Sequence, residues 1–387
     1  MTASEMNASG RVASIARRKA GIKRRKIGAI AVMVTVLTML ITALVIERAP
    51  SLTSDAIAQE QGQVPGATLG GQSDTDLWRA VRQGEAGRVA GPDAQAGVMI
   101  QSEGDLWRAI RNGPLSTYGV WILVGMVALL ALIFLLLGRV KIEAGESSYR
   151  LIRFTNFERA VHWMTASSFV ILAITGLNLL YGRYFMPILV GPEIFAWLTI
   201  GGKLAHNYLA FAFMIGLALM FVLWLSENIP NHHDLVWLVK GGGVLVKGVH
   251  PPAKKFNAGQ KIIFWLVMLG GAALSLSGLA LLFPFKFPMI ATMFAQANDW
   301  FGTALPIALT PMQEQQYTHL WHAIVGVIMT AIILAHIYIG SIGMEGAFDA
   351  MAEGDVDYNW AREHHGLWVR ELEEKGRAVQ AQNGGDD

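Results

Sequence analysis

The chain is expected to fold as an all-α polytopic membrane protein, a four-helix transmembrane bundle preceded by two further apolar spans. Three observations lead there. Of 387 residues, 53% are hydrophobic and only 16% are charged, a balance that suits a membrane protein better than a soluble globule. Six apolar stretches, near 27–46, 118–138, 159–180, 203–226, 261–284 and 318–342, are long enough to cross a ~30 Å hydrocarbon core. Basic residues cluster on alternate connections between them.

The N-terminal segment 1–26 holds Arg17, Arg18, Lys19, Lys23, Arg24, Arg25 and Lys26, which places it in the cytoplasm by the positive-inside bias. The first span, 27–46, reads as a signal anchor or a signal peptide. Ala56-Ile57-Ala58 offers small residues suited to cleavage, whereas the apolar core exceeds the usual ~7–15 residues of a cleaved leader. Residues 47–117 then form a periplasmic segment, and 118–138 a transmembrane helix. The linker with Arg139, Lys141, Arg150 and Arg153 returns to the cytoplasm, as does the 227–260 loop with Lys240, Lys247, Lys254 and Lys255. The core is expected over 150–345 and a cytoplasmic tail over 346–387, bearing Arg362, Arg370, Lys375 and Arg377. Both termini are thus expected inside. The net charge of +2 is uninformative by itself, and no nucleic-acid partner is expected.

The periplasmic segment carries a repeat. DLWRAVRQG at Asp76–Gly84 recurs as DLWRAIRNG at Asp105–Gly113, 29 residues on. Each copy reads as a short helix closed by glycine, and GVMIQSEG between them as a short strand. The pair is either a packing element or a docking surface for a partner subunit, since Trp and Arg are favoured interface anchors.

The histidines carry the chemistry. There is no cysteine, which excludes disulfides, thiolate nucleophiles, cysteine-held iron–sulfur clusters and CxxCH haem attachment. His322 and His336 lie fourteen residues apart in one apolar stretch, on nearly one helix face and about 21 Å apart along it. His162 and His206 begin two other long segments. Polar side chains in hydrocarbon are costly and usually functional. Orientation pairs the four by depth: His162 with His336 near the cytoplasm, His206 with His322 near the periplasm. Neutral imidazoles at two levels suit two stacked haems, making the core a four-helix di-haem bundle. Tetrahedral zinc would need ligands converging within one sphere, and satisfied structural histidines or a proton relay are the plainer alternatives. Gly326, Gly340 and Gly176 share the ligand faces and allow a flat ring, or a second helix, to approach. His319 reads as interfacial. His232, His233, His250, His364 and His365 are expected to be solvated.

Lys254–Lys261 reads KKFNAGQK at the inner membrane surface. Asn257 is a natural helix N-cap, which is the plain explanation. Asn257, Gly259 and Gln260 also offer amide and backbone donors for a quinone carbonyl.

RFTNFERAVHW, GGKLAHNYLAF, ENIPNHHDLVW, KKFNAGQK, HLWHAIVG, ILAHIYIGSIGMEGAFDAM and EGDVDYNWAREHHGLWVRE together span about 150–370. Through them the chain resembles the membrane-anchoring gamma subunit of respiratory formate dehydrogenases, a di-haem cytochrome b, in a long form with an N-terminal extension. The resemblance implies His162, His206, His322 and His336 as axial ligands of two haem b groups. It also implies Asn257, Gly259, and with them Gln260 and His336, around a quinone headgroup.

It further implies a bacterial inner-membrane electron-transfer and quinone-reducing subunit. Its partners would be a molybdenum or tungsten catalytic subunit, an iron–sulfur beta subunit and the quinone pool. A cytochrome b subunit of a hydrogenase or thiosulfate reductase is the competing expectation, and a haem-free anchor or transporter a third.

Overall fold

A computed structural model describes residues 104–243, 248–284, 286–375 and 380–381. The basic N-terminus, the first apolar span, the first repeat copy and nearly all of GVMIQSEG lie outside the described residues. Five helices among the described residues are long and apolar enough to cross a membrane: Leu106–Leu137, Asn156–Val190, Pro192–Trp224, Ala258–Leu282 and Pro311–Gly343.

The second repeat copy is not a separate helix. α1 (Gly104–Ile110) runs through a π turn at Arg111–Leu115 into α2 (Ser116–Leu137), so Gly113 does not close it. The wider turn accommodates Pro114, which has no N–H to donate, and the Ser116 hydroxyl donates to the Arg111 carbonyl at 2.6 Å. α2 is apolar all round, with Leu135 and Leu136 79% and 72% exposed. Such a surface suits lipid or another subunit.

α3 (Asn156–Val190) starts at a capping box: Thr155 Oγ1 accepts from Glu158 N, and Glu158 Oε2 from Thr155 N. A single residue, Gly191 at φ 81°, ψ 158°, joins it to α4 (Pro192–Trp224). Only glycine adopts that conformation freely, and Pro192 is pre-set for the first helical position. Residues 181–202, which lie between two of the apolar stretches, are therefore almost wholly helical. At 35 and 33 residues each helix is about 50 Å long, some 20 Å more than a hydrocarbon core. The two pack closely: a Cβ on Gly216 would overlap the Thr165 hydroxyl.

α5 (His232–Val239) is a short helix capped by Asn231. α6 (Ala258–Leu282) and α8 (Pro311–Tyr338) are the remaining long helices. Between them lies α7 (Met289–Phe301), which the apolar pattern does not announce. It is amphipathic, and Gly302 ends it in the left-handed region.

The linker and tail build a small folded cap rather than solvated segments. β1 (Tyr149–Ile152) lies between β2 (Asp355–Asp357) and β3 (Gln380–Ala381), antiparallel to both, with Arg150 opposite Asp357 and Tyr149 opposite Ala381. α9 (Asp349–Ala352), α10 (Tyr358–His364) and α11 (Gly366–Glu374) complete it. Arg150 pairs with Asp355 at 2.7 Å and Asp349 at 2.9 Å. Glu363 accepts from the amides of Glu143 and Ala144.

Internal contacts sort the chain into two units. One comprises Ile122–Ala272 and Val327 onward, and holds α3, α4 and the cap. Among the described residues, the other comprises 104–121 with Ala273–Gly326, and holds α1 and α7. α2, α6 and α8 contribute residues to both. Within the second unit, Trp107 of the repeat donates to His319 Nδ1 at 3.3 Å and meets it edge-on. The tryptophan of this copy is thus a packing residue, and His319 is its partner.

Candidate functional site

His162, in the second turn of α3, and His336, at the end of α8, face each other in the first unit. Their ring centroids are 6.4 Å apart and their planes 63° apart. An iron between two imidazole nitrogens, each about 2 Å away and each about 1 Å from its ring centre, needs centroids roughly 6 Å apart. The observed separation of 6.4 Å matches that distance. Trp163 stands edge-on to His162 and is anchored by its Nε1–H to the Met351 carbonyl at 2.9 Å. The Nδ1 of His162 is buried with no hydrogen-bond partner among the described residues.

The other two histidines are each held by a hydroxyl. In the first unit, His206 Nδ1 lies 2.9 Å from Thr175 Oγ1, and a Cβ on Gly176 would stand 3.3 Å from its Cε1. In the second, His322 Nδ1 lies 2.8 Å from Ser277 Oγ, and a Cβ on Gly278 would stand 3.5 Å from its Cε1. Gly176, which helical phase puts on the His162 face fourteen residues along, therefore lies against His206. Gly278 and the two hydroxyls were not singled out by the sequence, although TGLNLL and SGLALL are visibly alike. By contrast Gly340 meets nothing within 4 Å and Gly326 only Leu274 at 3.9 Å. Both leave open space on the ligand helix.

Asn257 and Gln260 form a reciprocal cap at the start of α6: Asn257 Oδ1 accepts from Gln260 N at 2.9 Å, and Gln260 Oε1 from Asn257 N at 3.1 Å. The plain N-cap reading therefore holds for Asn257. The oxygens are engaged, while both side-chain amide nitrogens are without a partner among the described residues. Those are the atoms that a carbonyl ligand would need. Gly259 is pressed by Trp237 of α5, whose ring would stand 3.0 Å from a Cβ. Lys261 is buried and paired with Asp234 at 2.9 Å. Beside it a cavity of about 300 Å³ is lined by apolar residues including Leu238, Ile262, Trp265 and Leu269.

Behind Gln260 stands Arg153, expected in a cytoplasmic linker but buried. Its guanidinium is surrounded by the rings of Trp360, Phe154 and Trp368 at 5.1–5.6 Å. It donates to the Lys255 carbonyl and to Gln260 Oε1 at 3.3 Å. Burial pulls its pKa down to about 9. His364 and His365, expected in solvent, are instead packed in the cap. Burial first, then the Arg153 charge, holds His365 well below the usual imidazole range, and burial lowers His364 to about 4. His365 is therefore neutral, and donates through Nδ1 to the Lys254 carbonyl at 2.7 Å. The sequence gives no sign of this burial except the flanking Trp360 and Trp368.

Five apolar helices of membrane-crossing length, with an imidazole pair 6.4 Å apart among them, are the frame in which a family match places a membrane-spanning cytochrome b. The prokaryotic cytochrome b561 family matches residues 153–354. The cytochrome b556(Fdn) subunit of the nitrate-inducible formate dehydrogenase of Escherichia coli (strain K12) is 31% identical over 247 residues, 62% of this chain and 99% of that relative. The cytochrome b556(fdo) subunit of the same organism is 25% identical over 57% of this chain and 93% of its own length. A formate dehydrogenase cytochrome b556 subunit of Haemophilus influenzae is 27% identical over 60% of this chain and 87% of its own. The chain belongs to the prokaryotic cytochrome b561 family, among the cytochrome b subunits of formate dehydrogenases.

Proposed function

We propose that this chain is the electron-transfer and quinone-reducing subunit of a formate:quinone oxidoreductase in a bacterial inner membrane, with both termini in the cytoplasm. Two haem b groups are held, one by His162 and His336 and the other by His206 and His322. When bound, they supply reversible one-electron carriage between the two membrane levels. The single observation that carries the reading is the 6.4 Å spacing of His162 and His336. The like surroundings of His206 and His322 support the second site.

The protein's own part is to hold and insulate. Each imidazole offers a neutral nitrogen, and the apolar helices exclude water. Electrons would enter at the His206 and His322 level from an iron–sulfur beta subunit, itself fed by a molybdenum or tungsten subunit that oxidises formate. From the His162 and His336 level a quinone would receive two electrons and take up two protons from the cytoplasm to become the quinol. The amides of Asn257 and Gln260 donate to its carbonyl oxygen, with Gly259 and His336 beside it. The family name carried by the relatives favours formate over hydrogen or thiosulfate as the electron source.

Replacing His336 with Ala in the assembled complex should remove the low-spin signal of one haem and abolish quinone reduction. Unchanged haem content and spectra in that variant would overturn the ligand assignment. Formate that fails to reduce the haems of the wild-type complex would overturn the choice of donor, in favour of a hydrogenase-type or thiosulfate-type partner.

A further inference from the structure

We propose that Thr175 and Ser277 are positioning residues. They fix the tautomer of His206 and His322 and lower the reduction potential of the iron that each ring ligates, below that of the iron held by His162. The proposal rests on the haem reading above and deepens it.

Each hydroxyl has one proton and several acceptors in reach. Thr175 Oγ1 lies 2.7 Å from the Ile171 carbonyl and 3.1 Å from that of Leu172. Ser277 Oγ lies 2.7 Å from the Ala273 carbonyl and 3.2 Å from that of Leu274. With its proton directed one turn back along the helix, each oxygen turns a lone pair towards the ring and accepts the Nδ1–H; the His206 ring also donates to the Leu172 backbone carbonyl, so Thr175 shares that task. The proton then sits on Nδ1, and Nε2 presents its lone pair to a metal. A Cβ on Gly176 would press on the His206 Cε1 at 3.3 Å, whereas one on Gly278 would meet the His322 Cε1 at an ordinary contact distance of 3.5 Å.

A back-bonded hydroxyl in an apolar helix is common on its own. Here the same Ser/Thr-Gly pair meets a ligand histidine twice, on two different helices. His162 differs, because its Nδ1 is buried without a hydrogen-bond partner among the described residues. An imidazole whose N–H is drawn towards an acceptor is the stronger electron donor, and stabilises oxidised iron. His206 and His322 would therefore hold their iron at lower potential than His162 does. Electrons entering at the former level are then biased to move towards the latter.

The test is a redox titration of the purified whole complex, following its b-type absorption, with Thr175→Val and Ser277→Ala. Each variant should move one midpoint potential upward with haem content retained, Thr175→Val only in part because the Leu172 carbonyl still accepts from His206. For Ser277→Ala the moving signal should be the one that His322→Ala removes. The signal lost in His162→Ala should stay in place, and Thr175→Ser and Ser277→Thr should restore the original values. Unmoved midpoints with full haem content in both variants would overturn the proposal. If an alanine or valine variant loads no haem, Ser277→Cys, whose thiol accepts only weakly, should give a partial upward shift, and an unmoved midpoint there overturns it. A wild-type complex without haem would instead overturn the cytochrome reading itself.

Discussion

At the scale of single residues, the ligand histidines are legible because an imidazole in a long apolar run has few innocent explanations, and helical phase ties it to others. Burial of charge in the cap is not. Arg153 and His365 are charged or polar residues of a linker and a tail, and only their folded context shows them enclosed by Trp360 and Trp368. That burial has a pH consequence. His365 is held neutral, its folded pKa well below the usual value, so the folded state takes up fewer protons than the unfolded one in mild acid. Its contribution is present above about pH 6.5 and is lost as the pH falls below that, by at most about 1.4 kcal/mol per pH unit. Thermal melts of the purified complex should show the loss on acidification below pH 6.5. His365→Gln should flatten that slope; an unchanged slope would mean that other groups set it.

At the scale of elements, the long helices are visible in the sequence where they must face lipid, and their ends are not. α3 and α4 run well past the apolar stretches because their distal turns need no hydrocarbon, only helical continuity up to Gly191. α7 is invisible as a span because its pattern is amphipathic and short. It is fastened from a distance: Glu314, 6% exposed, accepts from the backbone N–H of Ile290 at 2.5 Å and of Ala291 at 3.0 Å. Two otherwise open donors at a helix start, each meeting a carboxylate, are stabilising both as hydrogen bonds and through the helix dipole. Glu314→Ala should destabilise α7 by about 1–2 kcal/mol. Limited proteolysis would read this as faster cleavage within 289–310, and equal cleavage of the two proteins would count against it.

At the scale of the whole molecule, the matched region and the site coincide. The family spans 153–354, all four histidines lie inside it, and the relatives are covered almost end to end while 38% of this chain lies beyond the match with the first of them. The fold was legible where the apolar lengths fixed it. The cap was not, because it is assembled from a linker and a tail some 200 residues apart, and nothing local in either announces the other. A complex built with a chain lacking residues 1–103 should therefore keep its haem spectrum, as measured by haem content per polypeptide. Loss of haem from a correctly inserted truncated chain would assign the extension a part in the core.

α8 runs without a break from Pro311 to Tyr338, and both His322 and His336 ride on it. One residue inserted between them would turn one imidazole by about 100° against the other and displace it by about 1.5 Å. No loop is available there to absorb the change. Insertions and deletions are therefore tolerable in the irregular 302–310 segment just before α8, yet closed to the thirteen residues that separate the ligands. Evolution can revise the composition of that stretch, but not its count.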